Sequence, residues 1–181
     1  MQIRYVLITL SSVASCYQAS AMDLWTFRGA CKSSTVKQDS SHADMNNIQG
    51  SAISCDAGFI MELGNGRKLV QFGLKGSEVV PPGFSGGEFK HKDGHYALIL
   101  DTVYPQRVTT GKTTEQIYAE TMKTAMPTEG YCIFSDSDFN KLTEISCTTQ
   151  SENADRKIFY NVTFEITNIA VKRYDEGSNR K

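Results

Sequence analysis

The sequence predicts a β-dominated α+β fold, in which antiparallel hairpins form a curled sheet or partial barrel with one packed helix and two disulfides. Asn65-Gly66 and Asp93-Gly94 each separate two strand-like runs, and both pairs favour the positive φ angles that tight hairpin turns require. The run 158–167 alternates apolar and polar residues with the period of a half-buried strand. Four cysteines follow a predicted export signal, which is typical of a disulfide-stabilised exported domain.

Composition limits the domain count and the partners. The chain has 181 residues, 40% of them hydrophobic and 22% charged, which suits one globular domain with its own core. The formal net charge of −1 argues against nucleic acid as the main partner. No apolar run reaches the length of a membrane span. We therefore predict a single β-rich domain over 22–181 without a membrane span.

Residues 1–21 resemble a signal peptide. Arg4 supplies a positive start, 5–14 form an apolar stretch, and Ala19-Ser20-Ala21 is a small-residue cleavage site. The mature chain would begin at Met22 and be periplasmic or secreted. An alternative interpretation takes Val13-Ala14-Ser15-Cys16 as a lipobox, which would make the protein a lipid-anchored envelope component.

Removal of the signal leaves Cys31, Cys55, Cys132 and Cys147. An even number of cysteines in an exported chain predicts two disulfides, and the sequence allows three pairings. We predict Cys31–Cys55 and Cys132–Cys147, because each pair closes a short loop within a local β unit. No Cys-x-x-Cys spacing is present, which disfavours a zinc ribbon or redox motif.

The N-terminal half predicts strands separated by polar segments. Leu24–Cys31 reads as a first strand, and Lys32–Gln49 as a long polar surface loop. Residues 52–63 and 67–74 form a hairpin with Asn65-Gly66 as its turn. In that register, two pairs face each other on one side of the sheet: Phe59 with Phe72 and Met61 with Val70.

A second hairpin organises the middle of the chain. After a Gly- and Pro-broken segment, Glu78–Gly87, the Asp93-Gly94 turn leads into His95–Tyr104, an apolar run that predicts a strand buried on both faces. The turn places His91 opposite Tyr96 and His95 opposite Lys92. These pairs lie on opposite faces of the ribbon, so the two imidazoles do not predict a shared metal site.

One helix and three strands follow. Thr113-x-x-Gln116 forms a capping box, and Pro127 would end the helix. Its apolar face comprises Ile117, Tyr118, Thr121, Met122 and Ala125. Strands are predicted over 131–135 and 142–149, and the last strand buries Ile158, Tyr160, Val162, Phe164 and Ile166. The charged tail from residue 172 is expected to fray.

Few motifs indicate chemistry. Gly83-Phe84-Ser85-Gly86-Gly87 matches the Gly-x-Ser-x-Gly pattern of serine hydrolases, which requires a sharp strand-to-helix turn. Here the flanking prolines and the following hairpin favour a simple bend. Asp136-x-Asp138-x-Asn140 has the first ligand positions of a calcium loop but lacks the following glycine and glutamate. Asn161-Val-Thr163 is a glycosylation sequon.

These observations favour an exported, non-catalytic binding module of the inhibitor or immunity type, with a protein partner and no cofactor or metal. The alternative is a small exported serine hydrolase that uses Ser85. We predict that the binding surface comprises the segments Lys32–Gln49 and Glu78–Gly87, with Phe84 and Ser85 as binding residues. An exposed Phe84 would anchor the partner, whereas the competing interpretation places its ring in the core.

Overall fold

The computed structural model describes residues 22–39, 50–52, 54–63, 66–73, 79–80, 82–92, 95–105, 107–108, 110–113, 116, 119–120, 123–152 and 157–174. The predicted signal peptide and the lipobox alternative lie outside these ranges. The described elements are β1 (Met22–Asp39), β2 (Ala57–Glu62), β3 (Lys68–Gly73), β4 (Val79–Val80), β5 (Gly83–Gly86), β6 (Glu88–Lys92), β7 (His95–Tyr104), β8 (Arg107–Val108), β9 (Met126–Phe134), a 3-10 helix (Phe139–Lys141), β10 (Glu144–Glu152) and β11 (Lys157–Tyr174).

Eight of these strands form a closed antiparallel barrel: β1, β2, β3, β5, β7, β9, β10 and β11. Each strand pairs with the next one in this order, and β11 returns to pair with β1 from Met22↔Tyr174 to Asp39↔Lys157. The last strand thus extends to Tyr174, beyond the predicted start of fraying at residue 172. The β-dominated prediction is confirmed, but the sheet is closed and not partial. β6 lies outside the ring as an additional strand on β7.

Closure depends on β5, a strand that the sequence did not predict. Gly83–Gly86 pairs with β3 on one side and with β7 on the other. A four-residue strand with a glycine at each end has too few side chains to show a period of two. The predicted loop Glu78–Gly87 is therefore wrong over these residues, because pairing on both edges overrides their loop-like composition.

The barrel interior is filled by side chains. Every second residue of β11 from Ile158 to Ile166 is buried, as predicted. Phe84 on β5 contacts Tyr160 on β11, the strand diametrically opposite, with ring centroids 5.9 Å apart. Phe72 stacks on Phe164 at 5.5 Å, three strands away. The centre of this barrel is consequently a packed core.

One end of the barrel is closed by the 3-10 helix between β9 and β10. Its Phe139 is 7% exposed and contacts Trp25 of β1 at 5.1 Å and Phe134 of β9 at 5.1 Å. From the opposite wall, the Lys68 Nζ lies 5.8 Å from the Phe139 ring centroid. Because Phe139 contacts walls on both sides, it plugs this end of the core.

Both predicted disulfides are confirmed. Cys31 of β1 is bonded to Cys55, just before β2, with a Cα–Cα distance of 5.3 Å. Cys132 and Cys147 face each other directly across β9 and β10, and their Cα atoms are 4.0 Å apart. Each disulfide therefore reinforces a local strand connection.

The two predicted hairpin registers have different outcomes. The pairs His91↔Tyr96 and Lys92↔His95 of β6 and β7 are confirmed. In the β2–β3 hairpin, Phe59 pairs with Gln71 and Met61 with Leu69, so the predicted register is wrong by one residue. Residues 64–66 connect the strands: the Leu63 N–H donates to the Arg67 carbonyl at 2.7 Å and the Gly66 N–H donates to the Leu63 carbonyl at 3.0 Å, with Gly66 at φ +76°. Such a loop adds one residue to a two-residue turn.

One further prediction needs correction, and another falls largely outside the described ranges. The predicted loop Lys32–Gln49 begins inside β1, which continues through Asp39 because β11 supplies backbone partners along its length; residues 40–49 lie outside the described ranges. The predicted helix over 113–125 falls in large part on residues outside those ranges. Of the described residues in this span, 116, 119–120 and 123 are helical, and the Thr124 N–H donates to the Glu120 carbonyl at 2.9 Å. Its predicted capping box does form, since Thr113 and Gln116 exchange hydrogen bonds of 2.9 and 3.3 Å.

Candidate functional site

The two predicted binding residues lie inside the protein. Phe84 and Ser85 are each 0% exposed, so Phe84 takes the core position of the competing interpretation. The Ser85 Oγ accepts a hydrogen bond of 3.3 Å from Arg67 Nη2. Ser85 lies in a strand paired on both edges, not in a strand-to-helix turn. A binding role for either residue stays a prediction.

A concave surface lies on the outside of the barrel wall, along β7, β9 and β10. It is a cleft of about 930 Å³. Its lining combines three carboxylates, a tyrosine and small or polar residues: Asp101, Pro127, Thr128, Glu129, Gly130, Tyr131, Gln150 and Glu152. This volume lies within the usual range of ligand sites.

A bulge in β9 creates the cleft. Leu100 pairs with Gly130 and Thr102 with Pro127, so Asp101 of β7 lies opposite two residues of β9. A bulge bends its strand and redirects the neighbouring side chains. It brings Asp101 and Glu129 to the same part of the wall.

Hydroxyl groups and a glycine hold the bulge in place. The Thr128 Oγ1 donates to the Gln150 carbonyl at 2.7 Å, and the Thr149 Oγ1 donates to the Glu129 carbonyl at 3.0 Å. A Cβ atom on Gly130 would lie 2.3 Å from the Thr148 carbonyl oxygen, so only glycine allows this approach of β9 to β10. The cleft wall is thus supported from inside the barrel.

An arginine neutralises the first cleft carboxylate. Arg67 of the β2–β3 loop donates to both carboxylate oxygens of Asp101, with Nη1–Oδ2 at 2.7 Å. The Thr102 Oγ1 donates to Asp101 Oδ1 at 2.8 Å. The hydrogen bonds from Arg67, with that from Thr102, lower the pKa of Asp101, and the same contact raises the pKa of Arg67. Asp101 therefore stays ionised and anchors this side of the cleft.

The other two carboxylates differ in their surroundings. Glu152 is 3.1 Å from the Lys157 Nζ across the β10–β11 hairpin. Glu129 is exposed and makes no ion pair within the described part of the chain. The half-buried Tyr131 lies two residues farther along β9, on the same face. Glu129 is thus the cleft carboxylate whose charge remains available to a partner.

Sequence reasoning missed this cleft. The sequence pattern places Pro127 at the end of a helix, although proline inside a strand is typical of a bulge. Gly130 follows three residues later, and glycine in a strand also marks a bulge or a close backbone approach. Together these two residues form a local signal that could have located the site.

The residues of the predicted calcium-loop pattern, Asp136, Asp138 and Asn140, make local hydrogen bonds. Asp136 Oδ1 accepts from the Asp138 N–H at 2.9 Å, and Asp138 Oδ1 accepts from the Asn140 N–H at 3.0 Å. The Asn140 backbone and side-chain N–H groups lower the pKa of Asp138. These carboxylates cap the 3-10 turn. No group of three or more metal-ligating side chains that could hold an ion occurs in the described ranges.

No family model matches the chain, and comparisons with curated proteins and with solved structures give no significant match. Among the residues that the structure describes, no helix is both long and apolar enough to cross a membrane.

Proposed function

We propose that the protein is an exported, non-catalytic binding protein of the inhibitor or immunity type, which holds a protein partner at the cleft beside the β9 bulge. The filled lumen is the observation that supports a binding site on the outer wall. An eight-stranded barrel can enclose one small ligand when its interior is open. Here the rings of Phe84 and Tyr160 meet across the barrel axis, so binding is assigned to the outer wall.

The cleft chemistry suits a basic side chain of the partner. Glu129 offers an exposed carboxylate, and Tyr131 on the same face of β9 offers an aromatic ring. A lysine or arginine can form a charge-assisted hydrogen bond with a carboxylate and contact a tyrosine ring. Asp101 and Glu152 add negative charge at the rim, although each is paired with a cation.

The surroundings of Ser85 favour binding over hydrolysis. Its hydroxyl is buried and faces Arg67, a cation that cannot act as a general base. The disulfides are compatible with an exported protein, since such bonds persist in oxidising compartments. Two disulfides and a packed core make the barrel a rigid support for the cleft.

A titration with tetralysine tests the proposed chemistry, with NMR signals of Tyr131 as the readout. We expect binding that weakens as salt is added. Glu129→Lys replaces an attraction of about 1 kcal/mol by a similar repulsion, which corresponds to roughly 30-fold weaker binding.

Glu144→Lys is the matched control, because Glu144 is an exposed carboxylate of β10 outside the cleft. It should leave tetralysine binding nearly unchanged. Equal losses in both variants would show that only net charge matters. No effect of Glu129→Lys would exclude the cleft as the binding site.

A further inference from the structure

We infer that Asn161 carries an N-linked oligosaccharide on the outer wall of the barrel. Asn161-Val162-Thr163 is the single Asn-x-Ser/Thr sequence in the chain. The acceptor sequence requires passage through a glycosylating secretory compartment, in keeping with the predicted export. The inference does not depend on the proposed binding function.

The strand orients this sequence for modification. Val162 is 1% exposed and points into the core, whereas Asn161 is exposed on the outer face of β11. Residues two apart in a strand share a face, so Thr163 also points outward. A glycan at position 161 would extend into solvent without entering the core.

The neighbours of Asn161 leave room for a sugar. It pairs with Thr35 on β1 and with Thr148 on β10, both of which have short side chains. Within the described ranges, the Asn161 side chain makes no hydrogen bond or ion pair. Conversion of its amide therefore breaks no hydrogen bond or ion pair within the described part of the chain. Thr163 Oγ1 and Ser146 Oγ are hydrogen-bonded at 3.0 Å after folding.

The chemistry is a glycosyl transfer from a lipid-pyrophosphate oligosaccharide. The Asn161 Nδ2 forms a bond to C1 of the first sugar while the bond from C1 to the pyrophosphate oxygen breaks. The lipid pyrophosphate leaves with the electron pair, and one amide proton passes to a base of the transferring enzyme. The product is a neutral secondary amide.

The glycan would cover a defined part of the wall. Asn161, Thr148 and Tyr131 lie in register on β11, β10 and β9. Two strand spacings place Asn161 about 10 Å from Tyr131. The sugar would therefore cover β1, β11 and β10, and leave the β7 side of the cleft open.

The test is expression of the full chain in a eukaryotic secretory host, followed by intact mass measurement of the secreted, non-reduced protein. We expect one glycan, removed by peptide N-glycosidase with deamidation of residue 161. Asn161→Gln and Thr163→Ala should abolish the added mass. Thr163→Ser retains the hydroxyl of the sequon and should keep the added mass. Asn168→Gln changes an exposed asparagine outside any sequon and should keep it too.

A secreted protein with both disulfides formed and no added mass would overturn the inference. A glycan that persists in Asn161→Gln would also overturn it. Asn161→Gln removes the acceptor but keeps the Thr163–Ser146 hydrogen bond, so comparing its secretion with that of Thr163→Ala separates the two losses.

Discussion

Replacement of Phe84 by alanine should strongly destabilise the barrel. The side chain is 0% exposed, and its ring lies 6.1 Å from that of Phe72 and 5.9 Å from that of Tyr160. Truncation of a core phenylalanine costs about 3–5 kcal/mol, and each aromatic pair adds about 0.5–1.5 kcal/mol beyond buried area. We therefore expect a loss of about 4–5 kcal/mol, near the top of the core range.

The assay is urea unfolding with the disulfides intact, together with thermal melting. For a chain of this size the expected loss lowers Tm by about 8–20 °C. Phe89→Ala is the comparison variant. That ring contacts Tyr96, Phe134 and Phe139 but is 37% exposed, so its removal should cost about 2–3 kcal/mol, less than that of Phe84.

The cavity left by Phe84→Ala gives a second readout. Apolar cavities stay dry and bind small apolar molecules, so benzene should raise the Tm of the variant but not that of the native protein. A stability loss below about 1 kcal/mol, the average for any substitution, would refute the filled lumen.

Three other perturbations follow from local structure. Alanine at both Cys132 and Cys147 should lower the unfolding free energy by about 3 kcal/mol, because the disulfide closes a separation of 15 residues; an unchanged urea midpoint would contradict this. Gly66→Ala should lower the unfolding free energy by about 1–2 kcal/mol, because Gly66 has a φ of +76°. Gly73→Ala is the control, because its added Cβ would meet only a carbonyl oxygen at 4.0 Å; it should lower the unfolding free energy clearly less in the same assay. The lowered pKa of Asp101 means that its ion pair stabilises the fold above about pH 4 and that this contribution disappears as the pH falls through the folded pKa. In Asp101→Asn, the unfolding free energy should therefore decrease less as the pH falls, by at most about 1 kcal/mol because the pair is solvent-exposed. An unchanged decrease would count against the ion pair.

Features encoded by neighbouring residues could be predicted from the sequence. The alternation from Ile158 to Ile166 specified which face of β11 is buried, and Asp93-Gly94 specified the register of β6 and β7. Both disulfides followed from short separations within local β units. In each case the deciding interaction lies within about 25 residues.

Features that depend on distant pairing could not be predicted. The polar second half of β1 forms a strand because β11 pairs with it along its length, and β5 exists because β3 and β7 lie on its two sides. The β2–β3 register depends on whether the loop has two or three residues. The Asn65-Gly66 pair is compatible with both loop lengths. The cleft depends on Asp101 and Glu129, which only the bulge brings together.

The central claim is that the partner binds on the outside of a filled barrel. It is tested by measuring both the tetralysine affinity and the unfolding free energy of Phe84→Ala and of Glu129→Lys. At a temperature where both variants are folded, Phe84→Ala should bind like the native protein despite its lower stability. Glu129→Lys should keep native stability within about 0.5 kcal/mol and bind roughly 30-fold more weakly. The opposite pattern, in which Phe84→Ala loses binding at unchanged stability and Glu129→Lys binds normally, would contradict the proposal.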